Sequence, residues 1–572
     1  MHLAKHYLDT SKSRFRSGSS LALVVALALF GMLASTSIRT PGVEYDEALF
    51  VNAAIGGNTD EFVYRRMFGV PFMLMPYIGA LKAYIYYPVF YAFGVSPETI
   101  RYPVIALSLI TVVIIWRIGR LCFGPVTGSI VILLIAADPT FIFMSKLDYG
   151  PIALMMLLKS AALLFFFRAI TTRAAGNIVA FAVFCVLGIF DKLNFIWFLV
   201  AIVPAAILTF RSDLLALYRR NVAQATWSVL FLGACVAFAV MKGIVPLLSG
   251  QRFDVIRRLP ADRRLYETTM DGTALYYFVT GTVLPFGTFA NIVSLVGVFG
   301  AMWIVALSVV RYRWRRPIAL GTDWRDGLPL FFLTLCTTMS LEIIVTRDAT
   351  GPHHMMMLYP FHYFLLGSVV MFIARAWSAG KFSRARECAL HGAAVVTDAS
   401  IWAGLRRRSS IEPVLIAATL LLVAAELRVD AWYETKLNGN FHYSSAWSPQ
   451  IYDLAVYAQQ HSGDEVISAD WGIHNQVFAL VDASTRRKCL DLWPTFQEMN
   501  DPAASIDFYR AFFSDKSGVV LVHAEGAAIM PRARDQFLAF AHYYAVPIRL
   551  SSTFVDGQGQ PVFEAYSFSA SP

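Results

Sequence analysis

Carboxylates and cations stand side by side in several short stretches of an otherwise apolar chain. Glu44, Asp46 and Glu47 lie in EYDEALF, Lys146 and Asp148 in SKLDYG, and Asp191 and Lys192 in FDKLN. Lys82, Arg101, Arg347, Asp348, His353 and His354 flank other apolar runs. A carboxylate within reach of a hydroxyl or amine can take its proton. Lysine, arginine and imidazole groups can hold an anion and stabilise charge developing on it. Such residues are costly within or beside membrane spans, so their presence is informative. Two readings fit: a water-filled cavity opening on one membrane face, with bases beside anion-binding groups, or charges collected at helix ends where they solvate cheaply. There is no EF-hand, Asp-x-Asp or CxxC ligand set, and no metal or other cofactor is expected. A P-loop or GxGxxG stretch is also missing, which argues against direct use of a cytoplasmic nucleotide.

These residues need elements to position them. Of the 572 residues 57% are hydrophobic and 15% are charged, against about 25% charged in soluble domains. Stretches of spanning length fall at approximately 20–38, 102–121, 126–143, 151–168, 177–190, 194–210, 224–248, 288–310, 327–345, 358–375 and 413–427. The expected fold class is a polytopic α-helical membrane protein of about eleven transmembrane helices with a C-terminal soluble α/β domain. Residues 1–427 form the membrane domain and 428–572 the tail. The net charge of +9 sits in alternate short loops, as positive-inside topology demands, so no nucleic-acid partner is expected. That asymmetry puts the N-terminus in the cytoplasm and, after an odd number of spans, the tail outside. The first apolar stretch reads as a signal anchor rather than a cleaved peptide. Cys489 is alone in the tail, with no disulfide partner.

Two outer loops are long. Residues 39–101 are apolar yet punctuated by Pro and Gly, which suits helices lying in the membrane interface. Residues 249–287 hold Arg252, Arg257, Arg258, Arg263 and Arg264; these could gate a cavity, bind an anionic acceptor, or rest on anionic headgroups. In the tail, EVISADW, KCLDLW and GVVLVHA read as parallel strands followed by helices, closed by a hairpin around Asp556–Gln560. His474, His523 and Glu525 lie near strand ends, where ligands often sit in α/β layers.

The ordered motifs resemble the GT-C superfamily of polyprenyl-phosphate-dependent glycosyltransferases, with the lipid A aminoarabinose transferases and protein O-mannosyltransferases as the nearest families. YDEALF after the first span is similar to the family's Asp-Glu. GALKAYIYYPVFYAFG resembles its Glu-Lys-Pro-Pro segment, with Lys82 at the lysine but Leu81 for the Glu and no adjacent prolines. SPETIRYPVIALSLITVVIIWRIGRLCFG is similar to the Arg-Leu-Pro start of a family helix. SKLDYG places Asp148 at the family's aspartate and Lys146 where Arg is usual. GIFDKLNFIWFLVAIVP puts Lys192 at the conserved-pattern lysine without the following glycine, and GPHHMMMLYPFHYFLLG resembles the late His-Tyr-Leu-Leu-Pro segment.

The resemblance implies transfer of a sugar from a polyprenyl-phosphate donor to an extracytoplasmic lipid, glycan or protein acceptor, with inversion. Asp46 would be the general base, with Glu47 about 100° away on the same helix and Asp148 orienting a cation. Lys82, Arg101, Lys146, Lys192, His353 and His354 would meet the donor phosphate. The membrane would be the bacterial inner membrane. The rival class is a transporter or flippase for a lipid-linked or anionic substrate, which would carry charge near the midplane; Lys159 and Lys242 are its candidates.

Overall fold

A computed structural model of the chain describes residues 2–56, 61–241, 255–270, 272–273, 289–313, 323–346, 349, 351–375, 412–438, 445–530 and 532–570. Lys242, Arg252, Arg347, Asp348 and the run Arg406–Arg408 lie outside the described residues, as does the side chain of Arg257. In chain order the first helices are α1 (His2–Ser35), α2 (Tyr45–Ile55), α3 (Leu81–Phe93), α4 (Pro97–Phe123), α5 (Pro125–Ala137), α6 (Pro139–Leu147), α7 (Ile152–Thr172), α8 (Ala175–Asp191), α9 (Phe195–Arg220) and α10 (Val222–Ala239). Helix occupies, at least in part, every stretch expected to span. Among the described residues seven helices are long and apolar enough to cross a membrane, or up to eight if a bent pair is one span. Two shorter apolar helices, Ala175–Asp191 and Val293–Leu307, accompany them. The chain is a multi-pass membrane protein.

Local sequence sets the helix ends that matter for the site. The Ser96 side chain accepts from Thr99 N at 3.2 Å while Thr99 Oγ1 accepts from Ser96 N at 2.8 Å, with Pro97 in the first turn of α4. This reciprocal cap fixes where α4 starts, and hence where Arg101 stands one turn later. The expected straight span 126–143 is broken instead. The chain bends by 58° between α5 and α6, because Asp138 caps a new helix through Phe141 N at 2.7 Å and Pro139 cannot continue the old one. α6 ends at Asp148 in the left-handed region (φ 49°).

Residues 39–101, expected as an outer loop with interfacial helices, hold the helices α2 and α3 and also a small sheet. In it Arg65–Met67 (β1), Val70–Met75 (β2) and Ile78–Gly79 (β3) run antiparallel in the order β1-β2-β3. Pro71 and Pro76 remove amide donors that a helix through this stretch would need. The sheet is moored to the membrane helices: Ile78 bridges Lys192, Leu193 N donates to Tyr77 O at 3.0 Å, and Phe72 packs on Phe190.

A continuous helix, Glu412–Asn438, leads into the tail. There β4 (Glu465–Ser468) pairs in parallel with both β5 (Cys489–Asp491) and β6 (Gly518–His523). β7 (Ile548–Val555) and β8 (Pro561–Phe568) add an antiparallel hairpin, giving the order β5-β4-β6-β8-β7. The hairpin turns where the sequence predicts, with Asp556 Oδ1 accepting from Gln558 N and Gln560 N at 2.8 and 2.9 Å.

One apolar core holds α1, α4–α9 and the helices of residues 328–375. A second joins α2, β2, β3, α3 and the start of α4 to residues 451–481 and one face of the tail sheet. Asn52 Nδ2 donates to Asn475 O at 2.9 Å, Gln476 Nε2 to Val43 O at 2.5 Å, and Gly42 N to Trp447 O at 2.8 Å. The tail therefore closes over the first loop rather than hanging beside it. Contact of loop and membrane helices is tightest at Gly79, where a Cβ would come within 2.0 Å of Phe190 O. Gly79→Ala should cost roughly 1–3 kcal/mol by forcing the sheet off α8, read as a lower thermal midpoint of the detergent-solubilised protein; an unchanged midpoint would contradict this packing.

Candidate functional site

The short helix α2 carries the acidic group, and its three carboxylates have different surroundings. Glu44 is the N-cap, with Oε2 accepting from Asp46 N at 2.6 Å; burial, and then the Asp46 charge, hold its carboxyl well above the usual range. Glu47 is buried and meets Arg101 twice, Nε to Oε1 at 2.9 Å and Nη2 to Oε2 at 3.0 Å. Arg101 also donates to Ile38 O at 2.7 Å and Gly42 O at 3.3 Å. Asp46 lies between them in sequence and points elsewhere, as helical geometry requires. It keeps part of its surface open, and its carboxylate makes no side-chain hydrogen bond among the described residues. Burial raises its pKa, and Lys192 and Lys82 pull it the other way.

Those two lysines come from different elements. Lys82, in the first turn of α3, is buried and ion-paired to Asp148 Oδ2, with the Phe50 ring centroid 4.4 Å from its Nζ. The other oxygen, Oδ1, accepts from Ala153 N at 2.8 Å, so the residue that ends α6 also caps α7. Asp148 is the one protein group paired with the Lys82 ammonium among the described residues. Lys192 follows the last turn of α8 beside Gly150, where a Cβ would stand 3.0 Å from Nζ; Gly150 is also at φ +77°. Asp191, before it, is buried with neither carboxylate oxygen hydrogen-bonded among the described residues. Tyr149 continues the wall, packing edge-on against His353 at 4.6 Å and against Trp447 of the tail at 5.4 Å. His353 and His354 lie with ring centroids 3.9 Å apart.

The structure thus gathers Asp46, Lys82, Asp148, Lys192, His353 and His354, with Glu47 and Arg101 paired behind them. Lys146 turns away: its ammonium donates to Thr36 O and lies 3.9 Å from Glu434 of the helix 412–438. Arg258 caps the end of helix Leu328–Val345, donating to Thr346 O and Ala349 O at 2.5 and 2.8 Å, and pairs with Asp262. Arg263 pairs with Glu267 in solvent. Lys159, in the middle of α7, donates to Met356 O and Met357 O at 3.0 and 2.7 Å, tying down the backbone just beyond the histidines. His474 contacts Glu61 at 2.5 Å and His523 contacts Asp470 at 2.8 Å, while Glu525 is exposed. No group of three or more potential metal ligands occurs among the described residues.

Residues 79–242 match the family model of dolichyl-phosphate-mannose-protein mannosyltransferases. That segment holds Lys82, Asp148 and Lys192. ArnT from Cupriavidus metallidurans in the apo state superposes with a TM-score of 0.56 at 12% identity, over 96% of this chain and 98% of that one. This chain has the ArnT fold. The same ArnT bound to undecaprenyl phosphate gives 0.55 at 14% identity, over 96% and 97%. AglB, the oligosaccharyltransferase of Archaeoglobus fulgidus, in complex with an inhibitory peptide and a dolichol-phosphate, gives 0.50 at 12% identity, over 89% and 69%. No curated protein sequence matches the chain.

Beside this cluster lies a polar knot that reading the sequence missed. Asp138 Oδ2 accepts from Tyr363 at 2.6 Å and from Tyr359 at 3.1 Å, while Tyr359 and Thr140 both reach Thr269 O. It locks α6, which ends in Asp148, to the helix that follows the two histidines. The Asp-Pro step between two apolar runs was the available signal. Behind the cluster, removing one partner of the Glu47–Arg101 pair leaves a buried charge alone, at a cost of about 3–5 kcal/mol. Glu47→Gln and Arg101→Met should each lower the thermal midpoint sharply, and the double variant should recover part of the loss. A double variant as unstable as the sum of the singles would show that the two residues act separately.

Proposed function

We propose that the chain is a membrane glycosyltransferase that moves a sugar from a polyprenyl-phosphate donor to a lipid, glycan or protein acceptor on the outer face, with Asp46 as general base. One observation carries this reading. Among the described residues, Asp46 is the carboxylate of α2 that is neither capping nor ion-paired, and the two cations acting on it come from α3 and the end of α8. The mannosyltransferase family match over the segment that holds both lysines supports the donor class. So does the ArnT fold, since that enzyme has been seen with undecaprenyl phosphate.

The acceptor hydroxyl or amine gives its proton to Asp46 as its oxygen or nitrogen attacks the anomeric carbon. The bond from that carbon to the phosphate oxygen breaks on the opposite face, so configuration inverts. The bond's electrons leave on the phosphate, whose added charge meets Lys82 and Lys192. His353 and His354 offer ring donors beside the same space. Asp148 orients Lys82, and Glu47 with Arg101 positions α2 without touching substrate. Lys146, engaged with Thr36 O and Glu434, is left out of this scheme. The N-terminus lies in the cytoplasm of a bacterial inner membrane, and the tail from residue 428 lies outside as a second domain.

The test combines pools and turnover. Asp46→Asn should cut transfer by about 10²–10⁴-fold while the protein still binds the polyprenyl-phosphate sugar. Lipid mass spectrometry should show one such glycolipid accumulating equally in the deletion strain and in the Asp46→Asn strain. Equal pools in both and in wild type, with the variant present and folded, would overturn the donor assignment and favour transport. The pH profile adds a sign. Asp46 must be ionised to act, and its pKa is raised, so activity should fall on acidification at a pH above the ordinary carboxylate value of about 3.9. Lys192→Met removes a charge that lowers that pKa, so the acid limb should move to higher pH; a limb that stays in place would separate it from Asp46.

A further inference from the structure

The first outer loop presents an aromatic surface that nothing in the described chain covers. At the tip of the β1–β2 hairpin, Phe68 is 96% exposed, flanked by exposed Tyr64, Met67 and Val70. Its φ is +52° and Gly69 follows at +82°. A bulky residue in the left-handed region is uncommon and strained, so the turn holds a phenylalanine outward where asparagine or glycine would sit more easily. On α3 the face away from Lys82 exposes Tyr84, Tyr87 and Tyr91 (86%), and Phe93 at the end of the helix is 78% exposed. The Tyr84 hydroxyl donates to Pro71 O, joining helix and hairpin into one plate.

Charge and position say what this plate meets. From Phe62 to Pro97 the sequence holds Arg65, Arg66 and Lys82 and not one Asp or Glu. Lys82 is turned inward, so the outer charge is that of the two hairpin arginines, Arg65 being exposed. The plate is continuous with the membrane helices at both edges. α3 is followed within four residues by α4, a span, with Tyr102 exposed in its second turn; β3 is bridged to Lys192 at the end of α8. Tyrosines and arginines at the end of a span suit the headgroup level, where rings bury and guanidinium groups reach phosphates. Exposed apolar patches of this kind mark a contact surface.

We propose that the β1–β2 hairpin is a membrane finger: Phe68 dips into the acyl region of the outer leaflet while Arg65 and Arg66 engage anionic lipid phosphates. The plate then fixes the height of the loop, so that Lys82 and Lys192, on its other side, stand at the level of the headgroups. This inference concerns position in the bilayer and does not depend on the donor reading.

A nitroxide label at residue 68, in an otherwise cysteine-free full-length protein reconstituted in nanodiscs, tests it. A label at Asp507, exposed in the tail, serves as the aqueous reference. Oxygen should broaden the residue-68 signal more than a water-soluble nickel chelate does, with the opposite order at 507. The effect should be larger in phosphatidylglycerol than in phosphatidylcholine discs, and Arg65→Glu with Arg66→Glu should abolish that difference. Nickel access at 68 equal to that at 507 would overturn the finger. Shielding from both reagents, or spin–spin broadening between labels, would also overturn it by assigning the surface to a partner protein or a second copy.

Discussion

A guanidinium can be sealed beneath a loop only if its donors are met, and Arg101 is met by Glu47 and by the carbonyls of Ile38 and Gly42. That requirement organises this end of the membrane domain. It draws the segment leaving α1, the first turn of α2 and the first turn of α4 to a single point. Glu47 is consumed in the process, and Asp46, one residue away, is left facing about 100° around the helix from it. The reactive-looking carboxylate is thus defined by what its neighbour cannot do. Lys82 and Asp148 repeat the logic on a second pair of elements, with the difference that the lysine keeps N–H groups unspent.

The fold was legible wherever composition changed over long windows. Apolar stretches located the helices, and short continuous apolar runs such as GVVLVHA located the tail strands. Local order was harder. Pro71 and Pro76 were visible, yet the strands around them are stabilised by the Phe190 backbone and Lys192, more than a hundred residues away in sequence. The break at Asp138 was hidden because each half is apolar, and its carboxylate is also met by Tyr359 and Tyr363, more than two hundred residues further along the chain.

At the site, residue types placed Asp46, Lys82, Asp148 and Lys192 in a longer list of ionisable candidates, and the family resemblance singled them out. Their pairings were not readable. SKLDYG puts Lys146 and Asp148 two residues apart, but the left-handed turn at Asp148 sends one toward Lys82 and the other toward Glu434. Glu47 and Arg101 looked like members of the reactive group for the same reason: a sequence states charge and omits burial.

The core shared by the first loop and the tail has a consequence for how such a chain is made. Ribosomes deliver α2 and the residues before it some four hundred residues before Trp447, Asn475 and Gln476, which finally meet Gly42 N, the Asn52 side chain and Val43 O and help cover its apolar face. Throughout synthesis of everything between, those groups stay unmet, a form open to proteases and chaperones. Completion of the last segment is what seals it. Biogenesis therefore contains its own checkpoint: a truncated or mistranslated chain leaves the loop exposed, and quality-control machinery meets an unfinished surface near the start of the protein.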